Sequence, residues 1–235
     1  MNYFKDYWQE SRSPLYSLIF TLPLIILYEA LLFTMNHSDI AGMRNGADAL
    51  IRQFFAMFGI YGFYLVGFVI LLVLFLIYLF QHKNRKLSNL NKQFFLLMLM
   101  ESMLYATLLN LVLNKVLVIP LMTINDLNNR EIIAMSIGAG VYEELVFRII
   151  FLQAIVIISR YLLRLNKVTS MVMGIIFSSV IFSGFHYIGP WGDSINIISF
   201  ALRFIAGIIL ATIYILRGYG IAVYSHALYD LLLFF

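Results

Sequence analysis

The chain of 235 residues has no cysteine, only four prolines and few charged side chains. The absence of cysteine excludes disulfide bonds, a cysteine nucleophile and thiolate metal sites. Charged residues make up 12% of the sequence, which is about half the share usual in soluble globular domains. So small a share of charged residues excludes a large aqueous domain. The net charge of +4 requires no nucleic-acid partner to explain it.

Hydrophobic residues, in contrast, account for 62% of the sequence. That share is enough for seven membrane spans of about 20 residues each, and a soluble protein could not bury it. The sequence therefore predicts an all-α fold, a polytopic transmembrane helical bundle. The expected spans cover residues 14–35, 60–82, 93–120, 131–159, 168–187, 196–216 and 219–235.

Two shorter segments are predicted to be helices that do not cross the membrane. Residues 1–13 place four aromatic side chains at helical spacing, which is typical of an interfacial helix. Residues 43–58 are expected to form a surface-lying or re-entrant helix in which Asp48 and Arg52 pair one turn apart. Because no repeat or linker divides the remainder, residues 14–235 are expected to form a single integral-membrane domain.

The distribution of basic residues between loops predicts the orientation of the chain. Ten lie in one set of loops and three in the other, and the richer set is expected on the cytoplasmic side. The N-terminus is therefore predicted to be cytoplasmic, in a prokaryotic inner membrane, and the C-terminus external. The ten are Lys5, Arg12, Lys83, Arg85, Lys86, Lys92, Arg160, Arg164, Lys167 and Arg217, and the three are Arg44, Arg52 and Arg130.

The densest group of ionisable residues within a predicted span is Glu143, Glu144 and Arg148. Such residues are costly in a bilayer and tend to be paired, buried in the bundle or functional. Glu144 and Arg148 are one helical turn apart and are expected to form an ion pair, whereas Glu143 points about 100° away. A small-residue stripe at Ser136 and Gly140 lets another span approach this face. Either Glu143 is the working carboxylate, or both glutamates belong to one structural salt-bridge network.

Two later spans carry histidines with polar or aromatic neighbours. Phe182 precedes His186 by one turn, so its ring can pack against the imidazole. His226 and Asp230 are also one turn apart, so the carboxylate can support the imidazole by a hydrogen bond. Each pattern alone is equally typical of a buried or interfacial histidine without a chemical role. On the sixth span, Arg203 is expected to meet a carboxylate from another span.

Several alternative chemistries find little support in the sequence. There is no His-Glu-x-x-His zinc motif and no Gly-x-Ser-x-Gly nucleophile motif. Zinc ligation by Glu143, His186 and His226 is chemically possible, but the histidines lack the spacing of a ligand pair on one helix. We therefore predict that no metal or other cofactor is required, while zinc is not excluded.

Taken in order, the three motifs resemble the signature of the CPBP family, the CAAX-protease and bacteriocin-processing membrane proteins, also called Abi proteins. This family includes the type II CAAX prenyl endopeptidases. Its pattern is Glu-Glu-x-x-x-Arg, then Phe-x-x-x-His, then His-x-x-x-Asn or Asp. All seven positions match, at Glu143, Glu144, Arg148, Phe182, His186, His226 and Asp230.

The resemblance implies an intramembrane glutamic endopeptidase that acts on a membrane-associated peptide or protein. Glu143 and His186 would activate water, while His226 and Asp230 would stabilise the oxyanion. Glu144, Arg148 and Phe182 would support them. The prenyl endopeptidases have Asn where this chain has Asp230, so the resemblance leaves open whether the substrate is prenylated. A non-catalytic scaffold or immunity protein of the same family and a proton-coupled transporter are the competing hypotheses.

Overall fold

A computed structural model describes residues 3–35, 44–61, 90–116, 128–189 and 192–234, together with Leu72 and Leu76. All regular structure within these ranges is helical. The α-helices are α1 (Tyr3–Glu10), α2 (Pro14–Phe33), α3 (Gly46–Ala56), α4 (Lys92–Val116), α5 (Asn129–Gly138), α6 (Gln153–Tyr161), α7 (Lys167–Phe185), α8 (Ile197–Arg217) and α9 (Tyr219–Phe234). Two π-helical segments, Ala139–Glu143 and Leu145–Leu152, join α5 to α6.

Four of the described helices are long and apolar enough to cross a membrane. They are Pro14–Phe33, Lys92–Leu113, Lys167–Phe185 and Ile197–Arg217, and they establish an integral membrane protein. The prediction of seven spans is not confirmed. The expected span 60–82 lies almost entirely outside the described residues. The expected span 131–159 is divided between α- and π-helical segments, and α9 has only 16 residues.

Side-chain caps explain where several of these helices begin. The Asn128 side chain accepts hydrogen bonds from the backbone N–H groups of Arg130 and Glu131, and the Asn128 backbone N–H donates to the side chain of Glu131. Asn166 and Asn196 cap α7 and α8 in a similar way. Because the first backbone N–H groups of a helix have no partner within it, these asparagines fix the starting points.

Helix α9 is the central element of the bundle, since it packs against α2, α4, α5 and α8. On one side, Phe20 of α2 stacks on Tyr224 of α9 with ring centroids 4.1 Å apart. On the other side, Gly140 lies so close to α9 that an added Cβ would be 2.7 Å from both Ala227 Cβ and Val223 O. The close approach predicted at Gly140 is therefore present, but the helix that approaches is α9 and not the helix of His186.

The N-terminal helix α1 is attached to the bundle through Arg217, at the end of α8. The Arg217 Nη2 atom donates to Glu101 Oε2 at 2.8 Å, and the guanidinium carbon is 3.9 Å from the centre of the Trp8 ring. Tyr7 Oη also donates to Glu101. Burial, reinforced by this hydrogen bond, raises the pKa of Tyr7 above its usual value. Tyr7 and Trp8 thus contact the rest of the protein, and the position of α1 at the headgroups stays a prediction.

Arg203 pairs with Asp193, which lies in the connection between α7 and α8. The prediction of a carboxylate from another span was therefore wrong, because the partner comes from the segment just before the arginine's own helix. The backbone N–H of Asp193 also donates to the carbonyl of His186 at 2.9 Å. This connection therefore folds back onto the end of α7.

Candidate active site

The first motif lies on the π-helical stretch between α5 and α6. Glu143 ends the first π segment, and Arg148 lies in the second. An extra residue in a helical turn re-aims the side chains that follow, and π-helical turns are frequent at functional sites. Glu143 is 6% exposed, whereas Glu144 and Arg148 are fully buried. The sequence reasoning assumed a regular α-helix and missed this distortion.

The predicted pair between Glu144 and Arg148 is present. Arg148 Nε donates to Glu144 Oε2 at 3.0 Å, and the guanidinium carbon is 5.0 Å from the centre of the Phe182 ring. Within the described part of the chain, Arg148 Nη1 and Nη2 have no hydrogen-bond partner. The aromatic face partly compensates the charge, because a ring attracts a desolvated cation.

Glu143 is held by a residue from outside the three motifs, Asn45. The Asn45 Nδ2 atom donates to Glu143 Oε1 at 2.8 Å, while Asn45 Oδ1 accepts from the backbone N–H of Ala47. The amide therefore caps α3 with its oxygen and binds Glu143 with its nitrogen. Since the cap fixes the direction of the amide, Asn45 positions one oxygen of Glu143 and leaves the other available.

The segment carrying Asn45 is fastened by a network of charges and tyrosines. Asp48, fully buried in α3, pairs with Arg44 at 2.9 Å and with Arg52 at 2.6 Å, as the sequence predicted for Arg52. Tyr28 Oη donates to Asp48 Oδ2 at 3.0 Å and accepts from the backbone N–H of Asn45 at 3.3 Å. Arg52 also pairs with Glu29 of α2. The network fixes α3 against α2.

His226 lies between the carboxylates of the site. Its Nδ1 atom is 3.0 Å from Glu144 Oε1, which is a hydrogen bond. Its Nε2 atom is 3.7 Å from Asp230 Oδ2 and 4.0 Å from Glu143 Oε2. Both of these distances exceed a direct hydrogen bond. The expected hydrogen bond between His226 and Asp230 is therefore absent, and Glu144 is the group that fixes the imidazole.

Phe182 brings the two histidines of the motifs together. Its ring centroid is 5.1 Å from that of His186 and 6.0 Å from that of His226, with both imidazoles near perpendicular to it. In the predicted seven-span arrangement, His186 lies at the end of its span and His226 lies within the last one. The shared ring contact shows that the two side chains nevertheless converge on Phe182.

His186 is the C-cap of α7, and its Nδ1 atom is 2.9 Å from the carbonyl oxygen of Phe182. Since a carbonyl only accepts, Nδ1 carries the proton and Nε2 is left available as an acceptor. In the part of the chain that the structure describes, no hydrogen bond joins His186 to Glu143 directly. The structure thus gathers Glu143, Glu144, His226 and Asp230 into one cluster and places His186 across Phe182 from it.

The described residues contain no group of three or more His, Asp or Glu side chains arranged to hold a metal ion. The hypothetical zinc ligands Glu143, His186 and His226 therefore do not form a ligand set in this arrangement. The prediction that catalysis requires no metal stays a prediction.

Asn45 is the functional candidate that the sequence reasoning missed. An asparagine directly before an amphipathic segment with an acidic first turn is a typical N-cap signal, so the start of α3 was detectable. Its contact with Glu143 was not detectable, since 98 residues separate the two.

These features define an all-helical integral membrane protein with a buried glutamate–histidine cluster. Residues 128–232 match the family model described as "Type II CAAX prenyl endopeptidase Rce1-like". The match covers all three motifs and supports the family prediction made from them. Neither the curated proteins nor the solved structures give a significant match to the chain.

Proposed function

We propose that this protein is an intramembrane endopeptidase that hydrolyses a peptide bond near the membrane surface, in a membrane-associated peptide or protein. The observation that carries the proposal is the clamped orientation of Glu143. Asn45 occupies one carboxylate oxygen, and the other lies 4.0 Å from His226 Nε2. A gap of this length accommodates a reacting oxygen that contacts both side chains.

In this mechanism Glu143 is the general base. It removes a proton from water while the water oxygen attacks the scissile carbonyl carbon. His186 orients the same water through its available Nε2 atom. The burial of Glu143 suits this step, because it keeps bulk water away from the reacting groups.

His226 faces the oxyanion that forms on the carbonyl oxygen. Since Nδ1 donates to Glu144, Nε2 can donate only when both ring nitrogens carry protons. The carboxylates of Glu143, Glu144 and Asp230 surround the ring within 4.0 Å and balance that charge. The proton held by Glu143 then passes to the leaving amine, and the products are a carboxylate and an amine.

The test is cleavage of a peptide library by the purified protein in detergent or vesicles. Glu143→Gln and His186→Ala should each abolish cleavage while the protein keeps its parental melting temperature. Tyr142→Phe is a matched control, because it changes the neighbouring buried residue, whose hydroxyl contacts Glu29 and not the cluster. A Glu143→Gln variant that cuts at the parental rate would refute the assignment of Glu143 as the base. Absence of any cleavage by the parent protein would refute the proposed activity, and the non-catalytic scaffold would then be the better hypothesis.

A further inference from the structure

A large cavity separate from the carboxylate cluster lies along α2, α6 and the second π-helical segment. Its volume is about 740 Å³, which falls within the usual range for sites that bind small organic molecules. Most of its lining surface is apolar, with aliphatic side chains that include Leu18, Ile25, Leu145 and Val156. The side chains of Glu143 and of both motif histidines do not line it.

One end of this cavity is basic. Arg12, Arg160 and Lys167 line it. Arg160 and Lys167 lie at the same end of the bundle, because α6 ends at Tyr161 and α7 begins at Lys167. Arg12 Nη2 donates to the carbonyl of Ile215, in the last turn of α8. Because α8 packs against α7 and follows it in the chain, the last turn of α8 lies at the same end of the bundle as the start of α7. Among the described residues, no carboxylate forms a salt bridge with these three cations.

The length of the cavity matches one leaflet of a bilayer. Along α2 it extends from Pro14 to Ile25, which is about 17 Å at the rise of an α-helix. Half the hydrocarbon core of a membrane is about 15 Å thick. An occupant with its polar end at the cations would therefore place an aliphatic chain at the depth of its own leaflet.

We propose that this cavity is a binding site for an anionic phospholipid, with the headgroup at Arg12, Arg160 and Lys167 and an acyl chain between α2 and α6. Basic pockets between membrane helices are suited to anionic headgroups. The aliphatic lining selects a molecule with a long hydrocarbon chain over a free anion. The site is independent of the proposed peptidase activity.

The test is a titration of the purified, delipidated full chain with phosphatidylglycerol and with phosphatidylcholine of identical acyl chains, followed by native mass spectrometry. Phosphatidylglycerol should bind at least tenfold more tightly. The affinity of the double variant Arg160→Gln/Lys167→Gln for phosphatidylglycerol should fall roughly 25-fold, since each cation near an anionic headgroup contributes about fivefold. The variant Arg160→Lys/Lys167→Arg keeps both charges and should retain the preference.

Two further variants separate this site from general surface charge. Arg164→Gln removes a cation from the same connection, between α6 and α7, that is not part of the lining, and it should change the affinity little. Leu18→Trp fills the aliphatic part, keeps the cations, and should abolish the preference. Melting curves of each variant, recorded in parallel, ensure that only folded protein is compared.

Equal affinity for the two lipids would overturn the proposal, as would an Arg164→Gln loss as large as that of the double variant. If glycerol phosphate competed with phosphatidylglycerol as strongly as the whole lipid does, the cavity would be a site for small anions, and the proposal would be overturned. Displacement of the lipid by an acidic apolar peptide would assign the cavity to peptide and would likewise overturn it. Because no cleavage is measured, these outcomes do not depend on whether the protein is a peptidase.

Discussion

The side-chain amide of Asn45 reaches across the bundle and donates a 2.8 Å hydrogen bond to Glu143, while the same side chain caps the helix that follows it. Asn45 lies outside the region that matches the family model. The N-terminal part of the chain thus completes the cluster that the three motifs define.

Replacing Asn45 by Ser should lower the cleavage rate roughly tenfold to 100-fold while the start of α3 stays capped. Serine is an equally good N-cap, but it is too short to reach Glu143. Loss of a hydrogen bond to a charged group costs about 1.5–3 kcal/mol. If that bond orients the base, the cleavage rate should fall by the corresponding factor. The measurement is turnover beside the melting temperature of the same preparation.

Two companion variants define the role of Asn45 more narrowly. Asn45→Asp keeps the cap but sets a second carboxylate against Glu143, so it should be at least as damaging as serine. Asn45→Ala removes both functions and should lower stability as well. Parental turnover in Asn45→Ser would show that Asn45 is only a helix cap.

Removing Arg148 should affect folding more than chemistry. Arg148→Ala removes the ion-pair partner of the buried Glu144, and breaking such a pair typically costs about 3–5 kcal/mol. Thermal unfolding of the detergent-solubilised protein measures this loss. Arg203→Ala is the control, because its pair with Asp193 is about a quarter exposed and should contribute much less. Equal stability of Arg148→Ala and the parent would contradict the pairing argument.

His226 and Asp230 should differ in importance, although they share a motif. His226→Ala should lower turnover by about 10²–10³, as expected for loss of one oxyanion donor. Asp230→Asn should leave turnover close to the parental value, because Glu144 accepts the hydrogen bond that fixes the imidazole, and Glu143 and Glu144 still balance its charge. Turnover of both variants on the same substrate checks this. A large fall in the turnover of Asp230→Asn would show that the charge of Asp230 is required for the reaction.

The orientation of the chain remains a prediction of the basic-residue distribution. Reporter fusions after residue 86 and after residue 126 should lie on opposite sides of the membrane, with the first in the cytoplasm. Both positions lie outside the described residues. Reporters on the same side would exclude the seven-span arrangement.

Cleavage should survive strong chelators. The proposed base and its histidines act on water directly, so removal of divalent ions should leave turnover unchanged. A rate that falls to zero with a chelator and returns with added zinc would show that Glu143 and the histidines serve as ligands.

The sequence predicted what depends on local spacing. Glu144 and Arg148 are one turn apart, and so are Asp48 and Arg52; both pairs formed as expected. The sequence-based prediction failed where a residue had possible partners both on its own helix and on a distant segment. His226 could bond to Asp230 on its own helix, yet it bonds to Glu144, because the close approach at Gly140 brings the two helices together.

The attachment of α1 to Arg217 has a consequence for the order in which the chain acquires its structure during synthesis. Trp8 and Ser11 contact an arginine that lies more than 200 residues later. Helix α1 can contact α4 through Tyr7 and Glu101 once α4 is made, but its contacts with Arg217 cannot form until α8 is complete. The ring of Trp8 is therefore a reporter for the moment at which α8 joins the bundle.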